Sequence, residues 1–396
     1  MKLLVVNCGS SSIKYQLFEM PRAAVLAKGV VERIGEQRSK LTHEVGAQSW
    51  SDELAVPDHE TAMALIQRTL VAGPHKVLDE IGEIGAVGHR VVHGGEEFSG
   101  SILIDAEVIA TIERTADLAP LHNPPNLTGI RAARSVLPGI PQVAVFDTAF
   151  HSTIPRSAHL YGLPYEFYER YGVRRYGFHG TSHLYVAGRA ADLLQRPLDG
   201  LNCITCHLGN GCSMTAVRGG KSVDTSMGLT PLEGLLMGTR SGDFDPAIVF
   251  HLIKKGYDAE ELNRLCNRES GLLGISGVSN DVRVLMEQIR QGHERAQLAI
   301  DMFCLRVKKY IGAYSAVLGT VDAIVFTGGI GENSAEVRAN CCSNLDQLGV
   351  HVDPQRNSQV RGEEAEIQAD QSRVRVLVIP TDEEGVIARD TYELTR

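Results

Sequence analysis

Residues 203–226 constrain the fold most strongly, because an apolar run, a glycine turn and two further short runs follow one another there. Residues 203–208 have strand length and are mostly apolar, which is typical of a strand buried on both faces. Gly209, Asn210 and Gly211 allow the chain to reverse, since Gly lacks a Cβ and Asn tolerates a positive φ. The tight turn at residues 218–221 then predicts a hairpin leading into a third strand.

The same pattern occurs at the start of the chain. Residues 3–7 predict an apolar strand, residues 9–12 a turn, and residues 13–19 and 24–31 two returning strands. The two units therefore resemble a weak internal repeat. Glycine hairpins expose backbone N–H groups that suit the oxygens of a polyphosphate. We therefore expect a nucleotide held between two related halves.

Composition limits the class of protein. The chain has 396 residues, of which 43% are hydrophobic and 22% charged, as expected for a globular chain of two domains. The sequence contains no run of 18 apolar residues, so no membrane-spanning helix is predicted. The first residues have the pattern of a strand rather than of a signal peptide. We therefore expect a cytoplasmic protein. A net charge of −9 without a basic cluster argues against nucleic acid or an anionic membrane as partner.

The eight cysteines include an adjacent pair and several inside apolar runs, which is typical of reduced, packed thiols. Cys203, Cys206 and His207 match the C-x-x-C-H pattern of haem attachment. Haem attachment requires an exported chain, and the match lies inside the predicted strand. Two thiols packed on a strand are therefore the favoured interpretation.

Two charged residues lie at the ends of predicted strands in the first half. Arg90 is near the end of the strand at residues 84–92, and Asp147 follows the strand at residues 142–146. Ligand-contacting groups often lie at the carboxyl ends of strands in α/β sheets. A surface ion pair for Arg90 and a simple turn for Asp147 remain alternatives. Asn126 is predicted to cap the helix that runs to Leu137.

The second half contains three further candidates. His179 lies at a glycine-flanked helix entrance, where Thr181 or Ser182 could cap the helix. Arg240 lies in a loop of small residues, as expected for an anion contact. Residues 327–333 form a glycine-rich turn after a strand, a pattern that often approaches a nucleotide. Acidic residues at 382–384 begin the last helix, either as capping groups or as metal ligands.

Several motifs together resemble the acetokinase family, within the actin, sugar kinase and chaperone ATPase superfold, over essentially the whole chain. The motifs are NCGSSSIKYQLF from Asn7, GHRVVHGG from Gly88, FDTAFH from Phe146, YGFHGTSH from Tyr176, HLGNG from His207, MGTRSGD from Met237, TGGIGEN from Thr327 and PTDEEG from Pro380. The resemblance implies reversible transfer of the ATP γ-phosphoryl group to acetate, giving acetyl phosphate and ADP, with Mg²⁺ or Mn²⁺ as the metal.

The resemblance also implies roles for individual residues. Asp147, His179 and Arg240 would be catalytic, Arg90 would bind the acetate carboxylate, and Lys14 would contact the nucleotide phosphates. Asn7 and Glu383 would be associated with the metal, although Asp382 and Glu384 remain alternatives to Glu383. The apolar pocket for the substrate methyl would comprise Val92, Leu121, Phe178 and Pro231. The ATP site would comprise His207, Leu208, Gly209, Asn210, Gly211, Asp281, Val282, Arg283, Gly329, Ile330, Gly331, Glu332 and Asn333.

The implied fold consists of two related α/β domains of the actin-like, ribonuclease H-like type, with a nucleotide cleft between them. The first comprises residues 1–150 plus 381–396, and the second residues 151–380. A long apolar helix at residues 294–318 favours a homodimer. Because a carboxylate titrates near about pH 4–5, the acceptor is already ionised at neutral pH and needs no general base. We therefore expect Asp147 to orient an arginine or a metal-bound water.

Two other functions fit parts of the sequence. A propionate kinase of the same family would differ in substrate by one methylene, which an apolar pocket distinguishes by only about 1–3 kcal/mol. A nucleotide-switched binding protein could use the same superfold without small-molecule chemistry. Arg90, His179 and Arg240 argue against such a switch, because it has no obvious need for these cations.

Overall fold

The computed structural model describes all residues, Met1–Arg396. They form two compact units, one of Met1–Ala149 with Asp382–Arg396 and the other of Phe150–Thr381. Each unit has its own mixed β-sheet. No helix combines the length and the apolar character needed to cross a bilayer.

The first unit is built on an eight-stranded sheet of order β5-β4-β3-β2-β1-β6-β8-β7. The strands are β1 Lys2–Cys8, β2 Ser12–Glu19, β3 Ala24–Glu32, β4 Ser39–Val45, β5 Gln48–Leu54, β6 Ile84–Val91, β7 Ile102–Leu103 and β8 Gln142–Phe146. Its helices are α1 His59–Val71, α2 Ala106–Arg114, α3 Asn123–Val136 and the C-terminal helix Glu383–Thr395.

The second unit is built on a six-stranded sheet of order β11-β10-β9-β12-β14-β13. The strands are β9 Asn202–Leu208, β10 Cys212–Arg218, β11 Lys221–Thr225, β12 Ala323–Thr327, β13 Ala365–Glu366 and β14 Arg375–Val378. The helices are α4 Arg156–His159, α5 Glu166–Tyr171, α6 Gly180–Leu193, α7 Ala247–Ile253, α8 Ala259–Arg264, α9 Gly271–Ser276, α10 Val282–Arg290, α11 Glu294–Leu318, α12 Gly328–Asn333, α13 Ala335–Cys342 and α14 Pro354–Gln359.

The two sheets share one topology. In each, three consecutive strands form an antiparallel meander, β3-β2-β1 in the first unit and β11-β10-β9 in the second. The first meander strand then pairs in parallel with a later strand, β6 or β12. That strand pairs in parallel with β8 or β14, which carries a two-residue antiparallel edge strand. The expected internal repeat is therefore confirmed, and strands β4 and β5 extend the first sheet only.

Helices cover both faces of the central strands. In the first unit, α3 packs on β1 and β6 from one side, while the C-terminal helix packs on β1, β6 and β8. In the second, α6 packs on β9 and β12, and α11 packs on β9 and β10. Strands β8 and β12 are buried along their whole length, as their continuous apolar sequences predict. Cys203 and Cys206 are buried on β9, and burial raises the pKa of Cys203 to about 12, as expected for packed thiols.

The junction between β12 and α12 requires glycine at its first position only. Gly328 has φ +74°, and a Cβ there would lie 2.8 Å from the carbonyl oxygen of Leu208. A Cβ on Gly329 would meet nothing within 4 Å. We expect Gly328→Ala to lower the free energy of unfolding by about 1–3 kcal/mol, because a non-glycine residue is strained at positive φ. Gly329→Ala should leave the free energy of unfolding unchanged or raise it slightly. Thermal denaturation of both variants tests this, and equal melting temperatures would contradict it.

Candidate active site

The parallel strands of the first sheet bring three predicted residues to the same edge. Asn7 and Arg90 lie at the carboxyl ends of β1 and β6, where Val6 pairs with His89. Asp147 follows β8, and its amide donates to the carbonyl of Val91 over 3.0 Å. This arrangement follows from the topology, because the carboxyl ends of parallel strands meet at one edge.

Arg90 and Asp147 form a two-pronged ion pair. Nε of Arg90 lies 2.9 Å from Oδ1 of Asp147, and Nη2 lies 2.6 Å from Oδ2. Oε2 of Glu383 is 4.0 Å from Nε of Arg90. Burial lowers the pKa of Arg90, but the charges of Asp147 and Glu383 more than offset that effect, so the net pKa is raised. Arg90 is therefore a fixed, permanently charged guanidinium.

The first turn of the C-terminal helix separates the roles of its acidic residues. Asp382 is the N-cap, and its Oδ1 accepts a hydrogen bond from the amide of Gly385 over 3.0 Å. Glu383 instead faces the ion pair. Burial raises the pKa of Glu383; Arg90 opposes this shift, Asp147 adds to it, and Lys14 opposes it. Of these two acidic residues, Glu383 therefore lies beside Arg90 and Asp147, whereas Asp382 caps the C-terminal helix.

Two asparagines hold this edge of the sheet together. Asn126 does not cap a helix, because α3 begins earlier and encloses it. Its amide bridges two strands, accepting from the amide of Val92 over 3.0 Å and donating to the carbonyl of Cys8 over 2.9 Å. Asn123 pairs with both backbone groups of His93. The prediction that Asn126 caps the helix was wrong, because its side chain forms hydrogen bonds with Val92 and Cys8 instead.

In the second unit, His179 adopts a strained backbone conformation. Its φ is +56°, a left-handed value that costs a non-glycine residue of order 1–3 kcal/mol. It is itself the N-cap residue of α6, so neither Thr181 nor Ser182 caps that helix as predicted. Nδ1 of His179 lies 2.9 Å from Oγ of Ser213, and its ring stacks on that of His207 at a centroid distance of 4.2 Å. Two contacts thus fix this imidazole ring.

Arg240 is a largely buried guanidinium that forms no ion pair. Its Nη1 reaches the carbonyl of Pro231 at 3.3 Å and the sulfur of Met237 at 3.9 Å. Burial lowers its pKa, because no carboxylate offsets the loss of solvent. A Cβ on Gly211 would lie 3.5 Å from Nη1 of Arg240 and 3.7 Å from Nε2 of His179. Arg240 and His179 therefore both face the glycine turn between β9 and β10.

A cavity of about 840 Å³ lies beside the same turn. This volume is in the range typical of small-molecule sites. Eight of the residues predicted for ATP line it, namely Gly209, Asn210, Asp281, Val282, Arg283, Gly329, Ile330 and Asn333. The remaining lining residues are Asn280, Met286, Arg290, Ser334, Glu336 and Arg361, which no motif had indicated.

The other five residues predicted for ATP do not line this cavity. Leu208 and Gly331 are buried, His207 is stacked on His179, and Gly211 faces His179 and Arg240. The side chain of Glu332 is held by backbone groups: its Oε1 accepts hydrogen bonds from the amides of Gly328 at 2.8 Å and Thr381 at 3.1 Å.

Arg338 is a supporting residue that sequence reasoning missed. It is fully buried on α13, and its Nη1 donates to the carbonyls of Gly331 and Glu332, both at 2.9 Å. Its Nε donates to Asn357 over 2.8 Å. Burial lowers the pKa of Arg338 to about 10. The guanidinium thus holds the end of α12, a long-range role that leaves no local sequence signal.

The four apolar residues predicted for the substrate methyl differ in exposure. Val92 and Phe178 are buried, Pro231 is half-buried, and Leu121 is 50% exposed. Val92 and Leu121 belong to the first unit, and Phe178 and Pro231 to the second. The carbonyl of Phe178 is contacted by Nε2 of His151 at 3.0 Å, which ties down the segment leading to His179.

Comparison with known proteins identifies the family. The model of the acetokinase family matches residues 2–389. The chain belongs to the acetokinase family. It is 58% identical to an acetate kinase of Halothermothrix orenii over 396 residues, covering 100% of this chain and 99% of that protein. The crystal structure of Porphyromonas gingivalis acetate kinase has a TM-score of 0.96 at 48% identity and 100% coverage of both chains.

A propionate kinase from Francisella tularensis has a TM-score of 0.93 at 43% identity, with 99% of each chain covered. Of these two solved structures, the Porphyromonas gingivalis acetate kinase is the more similar in sequence and in structure. The chain is therefore a phosphotransferase with a carboxyl group as acceptor, and its activity is that of an acetate kinase. Membership of the acetokinase family implies that ATP and ADP are its nucleotides.

Proposed function

We propose that this acetokinase family member transfers the γ-phosphoryl group of ATP directly to acetate. An acetate oxygen forms a bond to the γ-phosphorus while the bond from that phosphorus to the β,γ-bridging oxygen breaks, giving acetyl phosphate and ADP. Arg90 binds the acetate carboxylate, Asp147 orients Arg90, and His179 and Arg240 stabilise the transferring group. Positioning and cations account for most of the catalysis of such a transfer.

The observation that carries this proposal is the unpaired state of Arg240. A guanidinium that is largely buried without a carboxylate is unfavourable unless an anion comes to it. Nε2 of His179 faces the same glycine turn, and we therefore propose that both residues contact one anionic group. A planar guanidinium suits phosphoryl oxygens, since it can contact two of them at once.

Arg90 suits the acceptor for a related reason. Its Nε and Nη2 are held by Asp147, so the guanidinium plane has one fixed orientation. The acetate carboxylate is ionised at neutral pH and needs no proton removed. We therefore assign Asp147 an orienting role rather than a role as acid or base. The buried side chains of Val92 and Phe178, with Leu121 and Pro231, are proposed to contact the methyl group.

The nucleotide is assigned to the 840 Å³ cavity, with its phosphates directed towards Gly211 and Lys14 contacting them. The donor set near Arg90 suits Mg²⁺ or Mn²⁺, because both prefer hard oxygen ligands and Mg²⁺ is commonly held by one or two protein oxygens together with substrate phosphates. The amide oxygen of Asn7 and the carboxylate of Glu383 would supply those oxygens. The described side chains form no group of three or more His, Cys, Asp or Glu suited to a metal. When bound, the ion would neutralise charge on the phosphoryl oxygens.

Trapping of acyl phosphate as hydroxamate tests the proposed reaction. With ATP and Mg²⁺, acetate should give hydroxamate with a kcat/KM about tenfold or more above that for propionate, as a pocket sized for one methyl allows. EDTA should abolish the product and added Mg²⁺ should restore it. Equal kcat/KM values for acetate and propionate would contradict the assignment of acetate as the substrate. Product formed in EDTA would contradict the requirement for a metal ion.

We also propose a homodimer in the cytoplasm. All eight cysteines are unpaired, which suits a reducing compartment. Apolar side chains of α7 and α11 are exposed, among them Phe250 at 64% and Leu305. Such a surface is typical of an interface between subunits. Phe250→Asp should convert a dimer into a monomer in sedimentation experiments, whereas Leu163→Asp, an exposed leucine outside these helices, should not. A monomeric wild type would refute the proposal.

A further inference from the structure

One hydroxyl of the second sheet lies between two imidazole rings. Oγ of Ser213, on β10, is 2.9 Å from Nδ1 of His179 and 2.7 Å from Nε2 of His183. His183 lies one turn after His179 on α6, and its Nδ1 is 2.7 Å from Oγ1 of Thr205 on β9. Ser213, His183 and Thr205 are all fully buried. These groups form a continuous chain from the interior of the sheet to His179.

The direction of this chain follows from counting protons. A hydroxyl has a single proton, so it can donate to one imidazole nitrogen only and must accept from the other. Oγ1 of Thr205 donates to the carbonyl of Thr215 over 3.4 Å, and a carbonyl can only accept. Thr205 therefore accepts a hydrogen bond from Nδ1–H of His183.

The tautomer of His183 then determines that of His179. Burial lowers the pKa of His183 well below its usual value, and the nearby His151 and His207 add to this shift, so the ring is neutral. A neutral ring with a proton on Nδ1 has a bare Nε2. Ser213 must donate to that nitrogen, and its oxygen is left to accept from Nδ1–H of His179.

We propose that Ser213 is a positioning residue for the phosphoryl transfer, because its hydroxyl fixes His179 with a proton on Nδ1 and with Nε2 towards Gly211 and Arg240. The inference rests on the role proposed above for His179. Protonation of Nε2 then gives an imidazolium whose two N–H groups are both used, one by Ser213 and the other by a phosphoryl oxygen. Without the hydroxyl, the ring can rotate or take the other tautomer.

Removal of the hydroxyl tests the proposal. Ser213→Ala should lower kcat about 10- to 30-fold, as expected for the loss of an orienting hydrogen bond, while the KM values for acetate and ATP change less than about twofold. The matched control is Thr215→Val, which removes a buried hydroxyl of the same strand that pairs with Thr225 instead of a histidine. Its kcat should stay within about twofold of wild type. Ser213→Thr keeps the hydroxyl and should recover most of the lost rate.

Nuclear magnetic resonance on ¹⁵N-histidine-labelled protein reads the tautomer directly. Near about pH 8, where an ordinary imidazole is neutral, the wild type should show His179 with a protonated Nδ1 and a bare Nε2. The His179 signals are assigned by their absence in His179→Gln. In Ser213→Ala the same ring should show a mixture of tautomers.

Three results would overturn the inference: a wild-type His179 protonated on Nε2, an unchanged kcat in Ser213→Ala, or a Ser213→Thr variant as slow as Ser213→Ala. A wild-type kcat in His179→Gln would instead overturn the role proposed for His179, and with it the kinetic part of the inference. The tautomer measurement does not depend on activity, so it would still decide the hydrogen-bond chain.

Discussion

Replacing Arg90 with alanine should reduce kcat/KM for acetate by about 10³-fold. Removing one partner of a buried charged contact costs about 2–5 kcal/mol, and each 1.36 kcal/mol is a factor of ten. The loss includes both the carboxylate contact and the fixed orientation that Asp147 gives the guanidinium. The KM for ATP should change less than about threefold, since the cavity assigned to the nucleotide lies in the second unit.

Arg114 provides the matched control for this variant. It is an exposed arginine of the same unit, paired with Glu97 at 3.0 Å. Exposed pairs of this kind contribute at most about 1 kcal/mol, so Arg114→Ala should keep kcat/KM within about twofold of wild type. If Arg90→Ala lost less than about fivefold in kcat/KM for acetate, Arg90 could not be the carboxylate contact.

Replacing Asp147 with asparagine should reduce kcat/KM for acetate by about 10²-fold. Asparagine has nearly the same shape, but it lacks the charge and cannot accept two hydrogen bonds from Arg90 as a carboxylate does. The guanidinium then loses its orientation, and the buried charge of Arg90 loses its main counterion. The expected loss follows from the 2–5 kcal/mol that truncating such a pair costs.

The pH dependence of Asp147→Asn separates orientation from acid–base chemistry. If Asp147 orients Arg90, the profile of kcat/KM against pH keeps its shape and shifts down as a whole. Simple loss of the basic limb would indicate a general acid or base and would contradict the orienting role. A changed Mg²⁺ dependence would instead indicate that Asp147 orients a metal-bound water.

Much of the fold was predictable because local chemistry determines it. Glycine turns between apolar runs indicated both meanders, and the ends of two predicted strands indicated Arg90 and Asp147 as candidates for ligand contact. Each meander depends on turns between strands that are adjacent in the chain.

The errors and omissions share a physical cause. Asn126 and Ser182 have the side chains of good helix caps, but Asn126 joins two strands and Oγ of Ser182 pairs with Nδ1 of His207 at 2.8 Å. Ser213 and Arg338 act through partners that are distant in the chain. Local preference cannot reveal such contacts, because they depend on how the strands and helices pack.

The most direct test of the account is a double-mutant cycle on Arg90 and Asp147, with kcat/KM for acetate measured in the wild type, Arg90→Ala, Asp147→Asn and the double variant. If Asp147 acts through Arg90, Asp147→Asn should lower the rate of Arg90→Ala by less than about threefold, since neighbouring residues with one shared function are not additive. A further loss of about 10²-fold in the double variant would show that Asp147 contributes independently, and would contradict the account.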